Sequence, residues 1–267
     1  MPFYQHAKAL PQRFRLVLSS FMQHADLPFR QALSEEQIQQ AFAEEGCAFA
    51  PDEESVYTAS MTLWAFLSQG LFTGVHRSCV AAVSRVVVLY VALGRTLRSD
   101  NTGAYCRARA KLPVPVIRRL TLTVADDCEE KLPRHWLWKN RHVHLVDGTT
   151  LSMPDTVANQ AAYPQPVCQK PGLGFPIVRL VVLLSLATAM VKGTAMGPYA
   201  GKETGETALL RQLLDRLGPG DILLADRYCC SYFMIALLLE LGIDFVIRLH
   251  QCRQTDFRRG RRMAAGD

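Results

Sequence analysis

His142-Val-His-Leu-Val-Asp-Gly-Thr-Thr150 and, farther along, Asp221-Ile-Leu-Leu-Ala-Asp-Arg-Tyr228 decide how this chain is read. Each is a short apolar run that reads as a buried strand and ends on an aspartate, Asp147 in the first and Asp226 in the second. A single aspartate before a glycine is an ordinary turn residue. Two that close separate strands point to a metal site. A carboxylate at the end of a hydrophobic strand is costly to bury unless its charge is offset, and converging carboxylates commonly hold magnesium or manganese. Two ions held this way activate a nucleophile and stabilise the leaving oxygen of a phosphodiester.

Around these runs the chain changes character once. Up to about Leu132 it reads as helices. Ser34-Glu-Glu-Gln37 has the spacing of a capping box and predicts a helix through Phe42 to Gly46. Further helices are expected at Ser55 to Gly70, Ser78 to Leu93, Thr102 to Lys111 and Pro115 to Lys131. From about Leu137, strands alternate with helices. Strands are expected at His142 to Val146, Ile177 to Leu186, Thr188 to Gly197, Ile222 to Ala225 and Phe245 to Leu249, with helices at Glu203 to Leu217 and Tyr232 to Leu241. Three strands, a helix, a strand, a helix and a strand is the order of a ribonuclease-H-like α/β fold, in which carboxylates of the first and fourth strands meet. Residues Asp155 to Pro176, rich in Pro, Gln and Gly, read as a long loop. The domains expected are a helical DNA-binding region at 1–135, a partial ribonuclease-H-like core at 136–250 and a basic tail at 251–267.

Composition narrows the partner. With 49% hydrophobic and 20% charged residues the chain is globular rather than disordered. A net charge of +6 favours an anionic partner. The charge is concentrated: from Arg77 to Arg119 stand nine cations, Arg77, Arg85, Arg95, Arg98, Arg107, Arg109, Lys111, Arg118 and Arg119, against one acid, Asp100, a surplus of eight. That imbalance favours phosphate contact over a merely solvated helical face. Val80 to Leu93 and Ile177 to Val191 are shorter than the ~20 residues of a membrane span and are interrupted by Arg85 and Arg179. The N-terminus lacks a signal-peptide core, and eight scattered cysteines without zinc-ligand spacing fit a reducing cytoplasm. The pair Cys229-Cys230 reads as two small residues beside a helix start. His142 and His144 share a strand face but have no third zinc ligand in reach, and Gly172-x-Gly174 reads as a turn.

Leu145-Val-Asp-Gly-Thr-Thr150 and Leu223-Leu-Ala-Asp-Arg-Tyr228 resemble the two catalytic-aspartate motifs of bacterial insertion-sequence DDE transposases, particularly the insertion sequence four group. Arg77 to Arg85 and Asn101 to Pro113 are similar to that family's helical N-terminal region. The motifs stand 79 residues apart, counted from 147 to 226. The resemblance implies a ribonuclease-H-like core, Asp147 and Asp226 as catalytic metal ligands, Mg2+ or Mn2+, double-stranded DNA carrying terminal inverted repeats as substrate, and a homo-oligomer when complete. It also implies a downstream glutamate in a Tyr-Arg-Glu-Lys-type motif. After Asp226 the only glutamate is Glu240, in an unrelated Leu-Leu-Glu-Leu-Gly context. The Arg-rich stretch Arg253, Arg258, Arg259, Arg261 and Arg262 resembles the start of the insertion that precedes the glutamate. A transposase cut off within that insertion, inactive as it stands, is therefore expected. The rivals are an inert DNA-binding remnant or regulator, and a different nuclease of the same fold whose third ligand comes from Asp221, Glu203 or Glu206.

Overall fold

The computed structural model describes residues 33–47, 49, 55–92, 101–170 and 172–249. It divides into two compact units, Met1–Val124 and Ala125–Asp267. The predicted basic tail at 251–267, Cys252, Arg95 and Arg98 lie outside the described residues.

The first unit is helical. α1 (Glu35–Glu44) starts on Ser34, whose hydroxyl accepts from the Gln37 N–H while the Gln37 side chain accepts from the Ser34 N–H, the reciprocal box that the sequence predicts. α2 (Ala59–Leu71) is capped by Thr58, α3 spans Cys79–Ala92, and α4 (Thr102–Arg109) is capped by Asn101. α5 (Val114–Glu130), whose residues from Ala125 on belong to the second unit, tolerates Pro115 because the first-turn N–H that proline lacks has no helical partner. Apolar residues at helical spacing, among them Ile38, Phe42, Leu63, Trp64, Val86, Leu89, Tyr105, Val116 and Leu120, close one core. Within it the Tyr105 hydroxyl donates to Gln69 Oε1 at 2.5 Å and the Gln69 amide donates to the Arg77 carbonyl at 2.6 Å.

The second unit is built on five strands: β1 (Val143–Ser152), β2 (Ile177–Ser185), β3 (Val191–Pro198), β4 (Ile222–Ala225) and β5 (Asp244–Ile247). Their order is β3-β2-β1-β4-β5. β1 and β2, and β2 and β3, pair antiparallel; β4 lies parallel to β1, and β5 parallel to β4. This mixed α/β sheet after an all-α region is the architecture expected of a ribonuclease-H-like core. Between β1 and β2 lies α6 (Val157–Ala162), between β3 and β4 lies α7 (Glu206–Arg211), and between β4 and β5 lies α8 (Tyr232–Glu240), capped by Ser231. One face of the sheet is closed by Val146, Leu183, Ala195 and Leu223 packing on Leu209, Leu210, Leu213, Met234 and Leu238. A Cβ at Gly197 would lie 3.2 Å from Leu209 Cδ2, so glycine lets α7 settle closely on β3.

Three expectations are corrected. β1 does not end before Asp147 but runs on to Ser152, because Asp147 through Ser152 pair across to Val182 through Ile177. The expected loop at 155–176 holds the short helix α6, begun by the Thr156 hydroxyl accepting from the Asn159 N–H. The helix expected from Glu203 to Leu217 is the shorter α7 followed by a single 3₁₀ turn, Leu214–Arg216. Among the described residues no helix is long and apolar enough to cross a membrane.

Candidate active site

β1 and β4 run side by side with Leu145 opposite Leu224. Two residues farther along each strand come Asp147 and Asp226, and Asp226 is still extended (φ −77°, ψ 179°). Adjacent strands lie about 5 Å apart, so the two aspartates stand next to each other although 79 positions separate them. Asp147 Oδ1 accepts from the Gly148 N–H at 2.9 Å, and Asp226 Oδ1 accepts from the Tyr228 N–H at 2.9 Å, which starts the 3₁₀ turn Arg227–Cys229. Each thus keeps one oxygen tied to its own backbone and another open.

Both aspartates are exposed. The cost of burial expected from the sequence is therefore not what calls for a cation here. The nearness of two like charges is. A third carboxylate adds to them. Glu206, half-buried at the start of α7, lies over Gly148, where an added Cβ would stand 2.5 Å from Glu206 Cδ and 2.7 Å from its Oε1. Beneath this group sits the buried Cys229 thiol, which burial pushes up to about 11, with Asp226, Glu206 and Asp147 adding in the same direction. The hard carboxylate oxygens of the two aspartates are the donor type that a divalent cation such as magnesium prefers. Among the described residues no group of three or more His, Cys, Asp or Glu side chains is placed to hold a metal ion, so the carboxylate pair alone carries the reading.

The other acids stand elsewhere. Asp221 immediately precedes β4 and so lies at its opposite end from Asp226. Its Oδ2 accepts from the Gly218 N–H at 2.9 Å and meets His144 Nε2 at 3.1 Å. Burial alone would raise its carboxyl, but the His144 contact, the Gly218 N–H and the nearby imidazoles outweigh that and hold it below the usual range. His142 stacks on His144 with centroids 6.3 Å apart and pairs through Nδ1 with Glu129 Oε2 of α5 at 2.8 Å, so each histidine is engaged by a single carboxylate, Glu129 for one and Asp221 for the other. Glu203 is exposed in the preceding loop. Glu240 ends α8, whose chain turns there into β5, and β5 begins opposite Ile222; it is thus at the far end of β4 from Asp226.

The cationic stretch of the first unit is divided in its use. Arg77, Arg107, Lys111 and Arg118 are exposed without an ion pair among the described residues; Lys111 lies 5.6 Å from the Phe49 ring centroid. Arg85 is engaged internally, donating to the His76 carbonyl at 2.7 Å and to Ser68 Oγ at 3.2 Å with its guanidinium 3.8 Å over the Phe72 ring; burial lowers its pKa. Arg109 donates to Gln69 Oε1 at 3.3 Å, and Arg119 is paired with Glu44 and Glu45.

Residues 138–265 match the family model described as the transposase DDE domain. Over 136 residues the chain is 28% identical to the Transposase InsG for insertion sequence element IS4 of Escherichia coli (strain K12), a match that covers 51% of this chain and 29% of that relative. The matched segment thus spans less than a third of the relative's length. Both findings support the resemblance carried by the two aspartate motifs, that of an IS4-type DDE transposase.

Proposed function

We propose that this chain, whose second unit matches a transposase DDE domain, is a DNA transposase that acts on insertion-sequence ends by metal-dependent phosphodiester hydrolysis and strand transfer. The observation that carries it is the side-by-side placement of Asp147 and Asp226 on parallel neighbours β1 and β4 within the matched segment. DDE transposases generally use divalent ions, and Mg2+ or Mn2+ bound here would supply activation of the attacking hydroxyl and charge neutralisation at the leaving oxygen. The protein's own part is to orient that chemistry: Gly148 N–H and Tyr228 N–H fix one oxygen of each aspartate and leave the other facing out. In-line phosphoryl transfer depends on such positioning more than on covalent help.

Arg77, Arg107, Lys111 and Arg118 are our candidates for phosphate contact with double-stranded DNA; Arg85, Arg109 and Arg119 have internal partners that compete for the same groups. The complete protein is proposed to work as a homo-oligomer on terminal inverted repeats, in the bacterial cytoplasm beside the nucleoid.

A second reading is favoured by one observation. Glu240, the only glutamate after Asp226 in these 267 residues, stands at the wrong end of β4 to complete the pair. Residues 1–267 alone are therefore proposed to bind element ends without nicking or joining them. The test incubates the purified chain with labelled end-repeat duplex in Mg2+ or Mn2+. Retarded duplex whose affinity falls with salt, and no cleaved strand, is the expected result. Salt-independent binding would reject the DNA-binding assignment, and robust nicking that Asp226→Ala removes would reject the inert state.

A further inference from the structure

We infer that the thiols of Cys79 and Cys106 form an oxidation site of the first unit, a pair that a peroxide closes to a disulfide, locking the start of α3 to α4. The two residues stand 27 positions apart, counted from 79 to 106, and belong to neither aspartate motif. Their chemistry requires neither metal nor DNA.

Packing puts the two sulfurs together. Cys79 is the first residue of α3, Cys106 lies within α4, and the two helices pack on each other. Gln69 of α2 clamps them at this point. Its amide donates to the Arg77 carbonyl at 2.6 Å, just before α3, and reaches the Cys79 sulfur at 3.9 Å. Its Oε1 accepts from the hydroxyl of Tyr105, the residue before Cys106, at 2.5 Å. Gln69 and Tyr105 are buried, so the core itself holds the clamp. Beside it the Cys106 and Cys79 thiols hydrogen-bond to each other. Burial raises the pKa of the Tyr105 hydroxyl, and both thiols add to that rise. Side-chain rotation then suffices to bring the sulfurs from hydrogen-bonding separation to the ~2 Å of a disulfide.

Access and proton placement set the order of events. Both cysteines are half-buried and open to an oxidant as small as hydrogen peroxide, whereas Cys229 and Cys230 are buried. Cys47 is also half-buried but donates to the Glu45 carbonyl at 3.3 Å, and exposed Cys168 lies in the second unit. The hydrogen bond to Cys79, and then burial, hold the Cys106 thiol above its usual range, so Cys106 keeps its proton and Cys79 is the sulfur that attacks. Cys79 takes one peroxide oxygen as the O–O bond breaks, giving a sulfenic acid and one water. The Cys106 sulfur then attacks the Cys79 sulfur, its proton joins the departing hydroxide, and a second water leaves. Two thiols lose two electrons, and one peroxide becomes two waters. A thiol reductant reverses the bond, which in a reducing compartment makes it a transient, sensing disulfide rather than a structural one.

The test treats the purified 267-residue protein with stoichiometric hydrogen peroxide, alkylates the remaining thiols and maps tryptic peptides without reduction. Trypsin leaves each cysteine alone in its peptide, Cys79 in 78–85 and Cys106 in 99–107. The expected product is one cross-link between these peptides, two hydrogens lighter than their sum, lost on reduction and no commoner than other pairings in protein oxidised in urea. Cys106→Ser should leave Cys79 as a sulfenic acid that dimedone traps, and Cys79→Ser should leave Cys106 a free thiol at the same dose. The bridge should raise the melting temperature of the first unit by ~5 °C or more, because it restricts the unfolded chain. Separate oxidation of the two sulfurs without a cross-link, or pairing with Cys47 instead, overturns the site, and the wild-type map decides this even where a variant fails to fold. A cross-link with an unchanged or lower melting temperature overturns the lock. Dimedone on Cys106 in Cys79→Ser, with none on Cys79 in Cys106→Ser, overturns the order of attack.

Discussion

Asp221→Ala tests how β4 is anchored, and its cost follows from two contacts. The carboxylate meets His144 Nε2 at 3.1 Å and accepts the Gly218 N–H at 2.9 Å. The His144 side chain is 3% exposed, and its Nδ1 already has no partner. Truncation leaves a buried imidazole with neither nitrogen bonded, at about 1–3 kcal/mol for a buried polar group left unsatisfied. The hydrogen bond from the half-buried Gly218 N–H is lost as well, which adds about 1 kcal/mol. The sum is about 2–4 kcal/mol, a large part of the ~5–15 kcal/mol that holds a typical domain together. Urea unfolding followed by circular dichroism should show the midpoint falling with the slope unchanged. The decisive control repeats the substitution in a His144→Leu background. There Asp221→Ala should cost only ~1 kcal/mol, because no imidazole remains to be orphaned. Equal cost in both backgrounds would refute the reasoning.

Leu223, fully buried at the centre of β4, should lose about 2–5 kcal/mol as Leu223→Ala, read by the same unfolding curve. Acid should weaken the second unit. Asp221 and Glu129 have folded-state pKa values below their ordinary ones, Glu129 because hydrogen bonds from Ser185 and Thr188 and the charges of His142 and Lys192 outweigh its burial. Their contribution is complete above an unfolded value of about 4 and is lost as pH falls through the folded one, so stability should decline below about pH 4; Asp221→Asn should make that decline shallower. Thiol labelling at pH 8 should modify exposed Cys168 quickly and Cys229, buried and pushed up to about 11, slowly. In DNA binding, Arg107→Ala or Arg118→Ala should each lower the log-log salt slope by ~0.9, while Arg85→Ala should chiefly lower the melting temperature of the first unit.

Local signals were the legible ones. Ser34 with Gln37 announced α1, and Ile222 to Ala225 with Asp226 behind it announced β4, because caps and apolar runs are written within a few residues. The order of elements then placed Asp147 and Asp226 on neighbouring strands before any geometry was at hand. What escaped depends on distant partners. Thr149, Thr150 and Leu151 look like a loop after Asp-Gly, yet they are strand because β2 pairs with them. Gly148 reads as a turn glycine, whereas its missing Cβ makes room for Glu206. A count of charges could not see that Arg119 is spent on Glu44 and Glu45, 74 positions and more away, or that Arg85 is folded over Phe72.

The most direct measurement is an anomalous difference map from crystals of this protein soaked in Mn2+. A peak within coordination distance of the carboxylates of Asp147 and Asp226, absent from Asp226→Asn crystals grown and soaked alike, is the expected result. Manganese bound only at other acids, or none near these two at saturating concentration, would contradict the assignment of this strand pair as the metal-dependent centre.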